Sequence, residues 1–439
     1  MKRVLLDANE ENILESIRNN NYNRIPDIKS FIESLDTIDG NMFISLDGRW
    51  GEGKTFYVRQ IEETLKYLSK KQYGNEDTVK ESADYFVNNL FSDIVLKHSY
   101  LPVYYNAWLY DNHDDPLLSL VAIMTKTGAN TGSTKISKNN LGDKIKTVIS
   151  SISTPYGGID ANAISQALSG RDVLKNIVTS EQIRATVKEL FDELLVEKAE
   201  KLVIFIDELD RCRPSFAIEM LERIKHYFDD DRVVFVVATN KEQLAHTVSK
   251  YYGNGFDTTT YLNKFFDLNV HMPIRRFSKR LFDDGREQYF LNSIAGGLND
   301  HYRLTLRDSL LFKEKISGLP QKYVNDSGIQ GACFSAFIPI IAILDIVNEV
   351  EKVKFLNGTS SLLHDLPSNV PELNYMMCRF ADQDAEENEK FENGFDKINQ
   401  VYQYAFGNHD RKEYNNLPYD VAENIGEICI RIYDGFKLT

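Results

Sequence analysis

Apolar residues along this chain fall into two patterns. In five short stretches they run almost without interruption: MFISLD (42–47), PVYYNAW (102–108), KLVIFID (201–207), RVVFVVAT (232–239) and FDLNVHM (266–272). Unbroken Val, Ile and Phe suits strands covered on both faces, as in parallel α/β sheets, better than the alternation of a half-exposed strand. Between these stretches the apolar positions recur every three or four residues. Val58, Ile61, Leu65 and Leu68 do so after the first stretch. Ile183, Val187, Leu190 and Leu194 do so before the third, and Leu221, Ile224 and Phe228 after it. That spacing predicts helices with one buried stripe, and Pro214 stands where a first helical turn tolerates proline. Strand and helix in alternation predict crossover connections and a mostly parallel sheet, an α/β fold.

Two regions interrupt the alternation. Residues 111–180 are rich in Gly, Ser, Thr, Asn and Lys, as in TKTGANTGSTKISKNNLGDK. They read as part of an insertion, 111–200, with loops and short helices. From Arg275 onward helical patterns dominate. The expected division is an N-terminal helical lead (1–40), a sheet core carrying the insertion (41–275) and a helical C-terminal region (276–439). The most apolar stretch, ACFSAFIPIIAILDIV (332–347), contains Pro339 and Asp345. It falls short of the roughly 18 apolar residues of a bilayer span, so it reads as a buried helix. The N-terminal apolar run is too short for a signal peptide, and acidic residues follow at once. A cytoplasmic protein with no membrane partner is the expectation.

Composition narrows this picture. A chain of 439 residues exceeds one ordinary core, and 42% hydrophobic with 26% charged residues makes it globular. The net charge of −14 disfavours nucleic acid as a partner, because phosphate contacts need a basic face, although a local basic groove stays compatible with it. Cys212, Cys333, Cys378 and Cys429 are far apart, without zinc-ligand spacing, and read as reduced thiols.

Candidate chemistry begins at ISLDGRWGEGKTFYV. Gly48, Gly53, Lys54 and Thr55 stand at the spacing G-x-x-x-x-G-K-[ST], with a strand before and an amphipathic helix after. A random chain of this length shows the pattern about once in a hundred, before that context is counted. Glycines let successive N–H groups turn toward phosphate oxygens, and the helix N-terminus adds its positive end. Lys54 offers a point charge to the β and γ phosphates, and Thr55 a hydroxyl to Mg²⁺. The predicted nucleotide-binding segment is Gly48, Arg49, Trp50, Gly51, Glu52, Gly53, Lys54, Thr55 and Phe56. Trp50 either packs on the nucleotide or covers the loop from the protein side.

The second element is KLVIFIDELDRCRP. Asp207 ends an apolar strand, where a carboxylate that holds Mg²⁺ should stand. Glu208 is the candidate general base for the attacking water, with Asp210 as a second candidate. Arg211 and Arg213 flank the turn, and each either neutralises charge developing on the γ-phosphate or pairs with the acidic cluster. Asn240, after the fourth strand, either contacts the γ-phosphate or water or caps the next helix. The run Asn240-Lys241-Glu242-Gln243 nearly spells the guanine-reading N-K-x-D. Gln243 has one acceptor end and one donor end, so it cannot accept two guanine hydrogens as an aspartate does. ATP is therefore favoured over GTP.

Together, DGRWGEGKT, VYYNAWLY, IFIDELDRCRP, VVFVVATNKEQL and YLNKFFDLNVHMP resemble the KAP family of P-loop NTPases, in the family's order, over about residues 41–273. LTLRDSL, with Arg307, is similar to the family's helical-region arginine that can sense nucleotide. The resemblance implies a P-loop ATPase core of the additional-strand type, followed by a helical region. It implies Lys54 and Thr55 on phosphate and Mg²⁺, Asp207 as the Walker B carboxylate and Glu208 as base. Many members carry membrane helices between the NAW-like strand and Walker B; residues 111–200 here are polar. Bacterial members are associated with phage exclusion. The implied function is an Mg²⁺-dependent ATPase acting as a switch or motor with protein partners or as a homo-oligomer. A nucleotide-bound scaffold with little turnover and a nucleic-acid-stimulated ATPase are the alternatives.

Overall fold

The computed structural model describes residues 7–20, 22–73, 89–113, 115–130, 172–195, 199–253, 255–273, 281–282, 290–317, 328–382, 384–407 and 425–434. Most of the polar run expected as an insertion lies outside these residues. The chain forms two compact units. One comprises residues 8–20 and 24–273; the other comprises 1–7, 21–23 and 274–439.

The first unit is a sheet covered by helices. Its elements in chain order are α1 (Glu10–Arg18), α2 (Ile25–Asp36), β1 (Met42–Asp47), α3 (Lys54–Tyr73), β2 (Tyr100–Asn106), α4 (Pro116–Asn130), α5 (Asp172–Leu195), β3 (Lys201–Asp207), α6 (Pro214–Tyr227), β4 (Val233–Thr239), α7 (Lys241–Tyr252), α8 (Thr258–Asn263) and β5 (Leu268–His271). All five strands are parallel, in the order β2-β3-β4-β1-β5. The strand β4 therefore separates the one before the glycine loop from the one that ends in Asp207. This is the additional-strand arrangement.

Alternate residues of each strand serve the two faces. Phe43, Val103, Ile204 and Phe235 pack with Leu120, Val187, Leu221 and Leu244 of the helices on one side. Ile44, Val203, Phe205 and Val236 pack on the other side with Ile17, Ile32, Val58 and Ile61. The N-terminal helices α1 and α2 are thus part of this unit. The fifth strand departs from the expectation of two-sided cover. It is an edge strand, and Leu268 is 43% exposed. Its apolar residues satisfy a single partner strand, β1.

Carboxylates are buried on α3. Glu62 pairs with Arg59, and burial pushes its carboxyl up to about 7 from 4.5, against the pull of Arg59 and with repulsion from Glu63 added. A carboxyl that binds its proton more tightly in the folded state stabilises the fold fully below pH 4.5, and loses that contribution as pH rises through about 7. Glu62→Gln, neutral throughout, should match the wild type near pH 4.5 and melt several degrees higher at pH 8. The gain is bounded at about 3 kcal/mol. Thermal melts at both pH values test this; a gap that does not widen with pH refutes it.

The second unit is helical, with α9 (Leu291–Tyr302), α10 (Leu306–Ser317), α11 (Ile329–Val347), α12 (Glu349–Leu356), α13 (Pro371–Arg379), α14 (Lys390–Phe406) and α15 (Ile425–Asp434) among its elements. Of the described helices, α11 alone is long and apolar enough to cross a membrane, and 78% of that stretch is buried inside the protein. Phe334, Phe337 and Ile341 form the middle of the unit's core. The polar end of α11 is fixed by Asp345, which accepts from Lys315 and Lys352. Gly394 lets α14 meet α13 closely: a Cβ there would stand 1.8 Å from the Met377 carbonyl oxygen.

Candidate functional site

Strand register lines up the residues that matter. Asp47 pairs with Thr239, Asp207 with Ala238, and Asn106 with Asp207, so the carboxyl ends of four adjacent strands form one row. Ligands of open α/β sheets bind outside such ends, where the strand order reverses. Here the chain leaves β1 and returns on both of its sides, as β4 and β5.

The loop between β1 and α3 turns in six residues. Gly51 and Gly53 have φ of 88° and 81°, which a side chain would strain. Gly48 needs the absence of a Cβ for space, since one would lie 2.6 Å from Met272 Cγ. Its N–H donates to the Thr239 carbonyl at 3.2 Å. Glu52 Oε2 accepts from the Arg49 amide at 2.8 Å and ties the loop to itself.

Arg24, just before α2, grips the loop from outside. Its guanidinium donates to the carbonyls of Gly53 at 3.0 Å and Glu52 at 2.6 Å, and the side chain is buried. In a trans peptide the N–H points opposite the C=O. Carbonyls turned toward Arg24 therefore leave the amides of Gly53 and Lys54 facing the other way, as a nest for an anion requires. Sequence reasoning missed Arg24, because a lone arginine ahead of a predicted helix carries no local signal.

Lys54 opens α3 and is 8% exposed. Its ammonium donates to the Gly48 carbonyl at 2.5 Å and the Arg49 carbonyl at 3.2 Å. Burial lowers its pKa; Asp210, Asp207, Glu52 and Glu208 oppose that. The Thr55 hydroxyl is 3.3 Å from Glu208 Oε1, and its interaction with Asp207 favours the charged form of that carboxylate. Phe56 faces the apolar layer beneath α3 and anchors the loop there.

Asp207 is almost fully buried, and burial pushes its carboxyl pKa up. One oxygen accepts from the Glu208 amide at 2.9 Å, the other from the Tyr104 hydroxyl at 2.9 Å. Glu208 adopts the left-handed conformation, φ 64° and ψ 22°, rare for a residue with a side chain. Such strain persists where surrounding structure enforces it, and it clusters at functional sites. Burial, then repulsion from Asp207, raises the Glu208 pKa, while Arg211 opposes this through an ion pair. Arg211 also lies over Trp108, 5.5 Å from the ring centroid. Asp210 is buried and accepts from the Trp50 indole at 2.5 Å. Trp50 bridges the loop to the acidic turn and stays 49% exposed.

The remaining candidates divide. Asn240 caps α7, its Oδ1 accepting from the Gln243 amide at 3.2 Å. Arg213 pairs with Asp111, away from the acidic turn. Arg307 is exposed on α10 and belongs to the helical unit. Thr239 Oγ1 is buried with no hydrogen-bond partner, at the end of β4. A buried hydroxyl left this way costs about 1–3 kcal/mol, which a water or ligand oxygen would relieve.

The donor set fits a hard divalent cation. Thr55 offers a hydroxyl and Asp207 a carboxylate, and such oxygens suit Mg²⁺. Among the described residues no group of three His, Cys, Asp or Glu side chains could hold a metal alone. Mg²⁺ takes one or two protein oxygens and the rest from phosphates and water, so Thr55 and Asp207 would be enough to hold it.

No curated protein is a significant match to the chain. A profile of the KAP family P-loop domain matches residues 24–283, more than half of the chain, and its span runs from Arg24 past the last strand of the sheet. With a glycine loop that faces a buried carboxylate across the added strand, the chain belongs to the KAP family of P-loop NTPases.

Proposed function

We propose that this protein binds ATP with Mg²⁺ through its glycine loop and hydrolyses it, serving as a switch or motor in a larger assembly. The observation that carries this reading is the convergence of Lys54, Thr55, Asp207 and Glu208 at the carboxyl ends of β1 and β3, on either side of β4. In it, the loop amides and the Lys54 ammonium bind the β and γ phosphates. Thr55 and Asp207 hold the cation, which when bound offsets phosphate charge. Glu208 takes the proton of the attacking water, and the burial that raises its pKa makes it a stronger base than an exposed carboxylate. Arg211 is the nearby cation for charge that develops on the γ-phosphate.

Two observations shape the reading further. Glu208 is engaged with Arg211, so it must leave that ion pair before it can act as base. Slow basal turnover, stimulated by a partner or by assembly, follows from this. Asn240 caps the following helix, and Gln243 has a single acceptor end where guanine needs two, which supports ATP over GTP. Phosphate release from ATP by the purified protein tests the function. The expected result is Mg²⁺-dependent turnover that exceeds turnover of GTP and is indifferent to added DNA or RNA. Absence of nucleotide binding would overturn it. Salt-sensitive stimulation by nucleic acid would replace the switch reading with a nucleic-acid-dependent one. The role in phage exclusion that the resemblance implies belongs to this proposal too, and plaque counts with the wild type beside Lys54→Ala test it.

A further inference from the structure

A carboxylate that must meet the same partner in every turnover has to be held in one orientation. The terminal torsion of an aspartate is soft, so neighbours must do the holding. For Asp207 two different elements do so. The Glu208 amide, from its own strand end, ties Oδ1. The Tyr104 hydroxyl, from the neighbouring strand β2, ties Oδ2 at 2.9 Å. Each carboxylate oxygen accepts about two hydrogen bonds, so these two contacts leave acceptor capacity for a cation.

Tyr104 is itself held. The Arg59 guanidinium lies over its ring, 4.6 Å from the centroid. Arg59 in turn pairs with Glu62 and with Glu63 at 3.7 Å, and both carboxylates are buried. All three charged residues lie on α3, the helix that opens with Lys54 and Thr55. The helix that carries the phosphate ligands thus also braces the ring that orients Asp207. A tyrosine satisfied by the nearest acceptor would need neither the cation over its face nor the pairs behind that cation.

We propose that Tyr104 is a positioning residue for Asp207, and that its hydroxyl makes the site bind ATP more tightly with Mg²⁺ than without. The inference rests on the ATPase reading above. Tyr104→Phe is the variant to make in the full chain, because it keeps the ring beneath Arg59 and removes only the hydroxyl. ATP affinity is measured by calorimetry in Mg²⁺ and in EDTA, together with the melting temperature. Outer-sphere partners of metal ligands are typically worth about 10–100-fold in metal affinity. The expected result is an affinity about 10-fold weaker in Mg²⁺, unchanged in EDTA, with melting within a degree or two of the wild type. Wild-type affinity in Mg²⁺ would overturn the proposal while leaving the ATPase reading intact. An equal loss in Mg²⁺ and EDTA would also overturn it, since the effect would then lie in the loop or the fold. If the wild type itself binds no ATP under either condition, the ATPase reading is what fails, and this inference falls with it.

Discussion

Lys54→Ala removes ATP binding from a chain that still folds. The side chain sits 8% exposed at the first turn of α3 and is the ammonium group aimed into the loop. A hydrogen bond to a charged group is worth about 1.5–3 kcal/mol, and one lysine shared by two phosphate groups makes at least two of them. The expected loss is therefore at least about 100-fold in affinity. Folding should survive. The loop keeps its Arg24 bonds to Glu52 and Gly53, its Arg49–Glu52 tie and its Gly48 bond to β4. Removing an ammonium whose pKa is already lowered by burial also removes a desolvation cost. Calorimetry with Mg²⁺-ATP decides the matter, beside a thermal melt of the variant. Unchanged affinity in a folded variant would mean that the loop holds no triphosphate.

Glu208→Gln should separate binding from turnover. The amide keeps the shape and one acceptor oxygen but cannot take a proton from water. General-base catalysis contributes about 10²–10⁴-fold, so turnover should fall by at least 100-fold. Affinity for ATP should stay within a few-fold, because Lys54, the loop amides and Asp207 are untouched. The substitution also dissolves the ion pair with Arg211. A purely structural role for Glu208 would appear as a lower melting temperature with turnover per folded molecule unchanged. Asp210→Asn is the informative partner. Asp210 accepts from the Trp50 indole, and an amide oxygen can still accept that bond, so its amide variant should leave ATP binding and turnover within a few-fold of the wild type. If Asp210→Asn traps bound ATP while Glu208→Gln turns over normally, the two roles are exchanged.

Much of the site is legible in one dimension because its geometry is local. A turn from strand to helix in six residues needs positive φ, and only glycine enters that region cheaply, so Gly51 and Gly53 announce the loop. Lys54 and Thr55 follow because the first turn of a helix is where exposed amides point. Asp207 and Glu208 announce themselves because charge directly after an unbroken apolar run must sit at a strand end. The strands themselves are visible as continuous Val, Ile and Phe, since two-sided cover makes every position apolar. The uncovered edge of β5 was not visible, because its few apolar residues look the same whether one neighbour or two pack against them.

By itself, then, the sequence determined the α/β alternation, the phosphate loop, the acidic strand end and the family these motifs resemble. Tertiary structure alone decided the strand order, the grip of Arg24 on the loop carbonyls, the tie of Trp50 to Asp210 and the brace of Tyr104 on Asp207. Each of these contacts joins residues at least 28 positions apart. Periodicity and backbone preference are set by neighbours within a few residues. Which distant side chain meets which depends on how strands order themselves to bury both faces, and no local pattern encodes that.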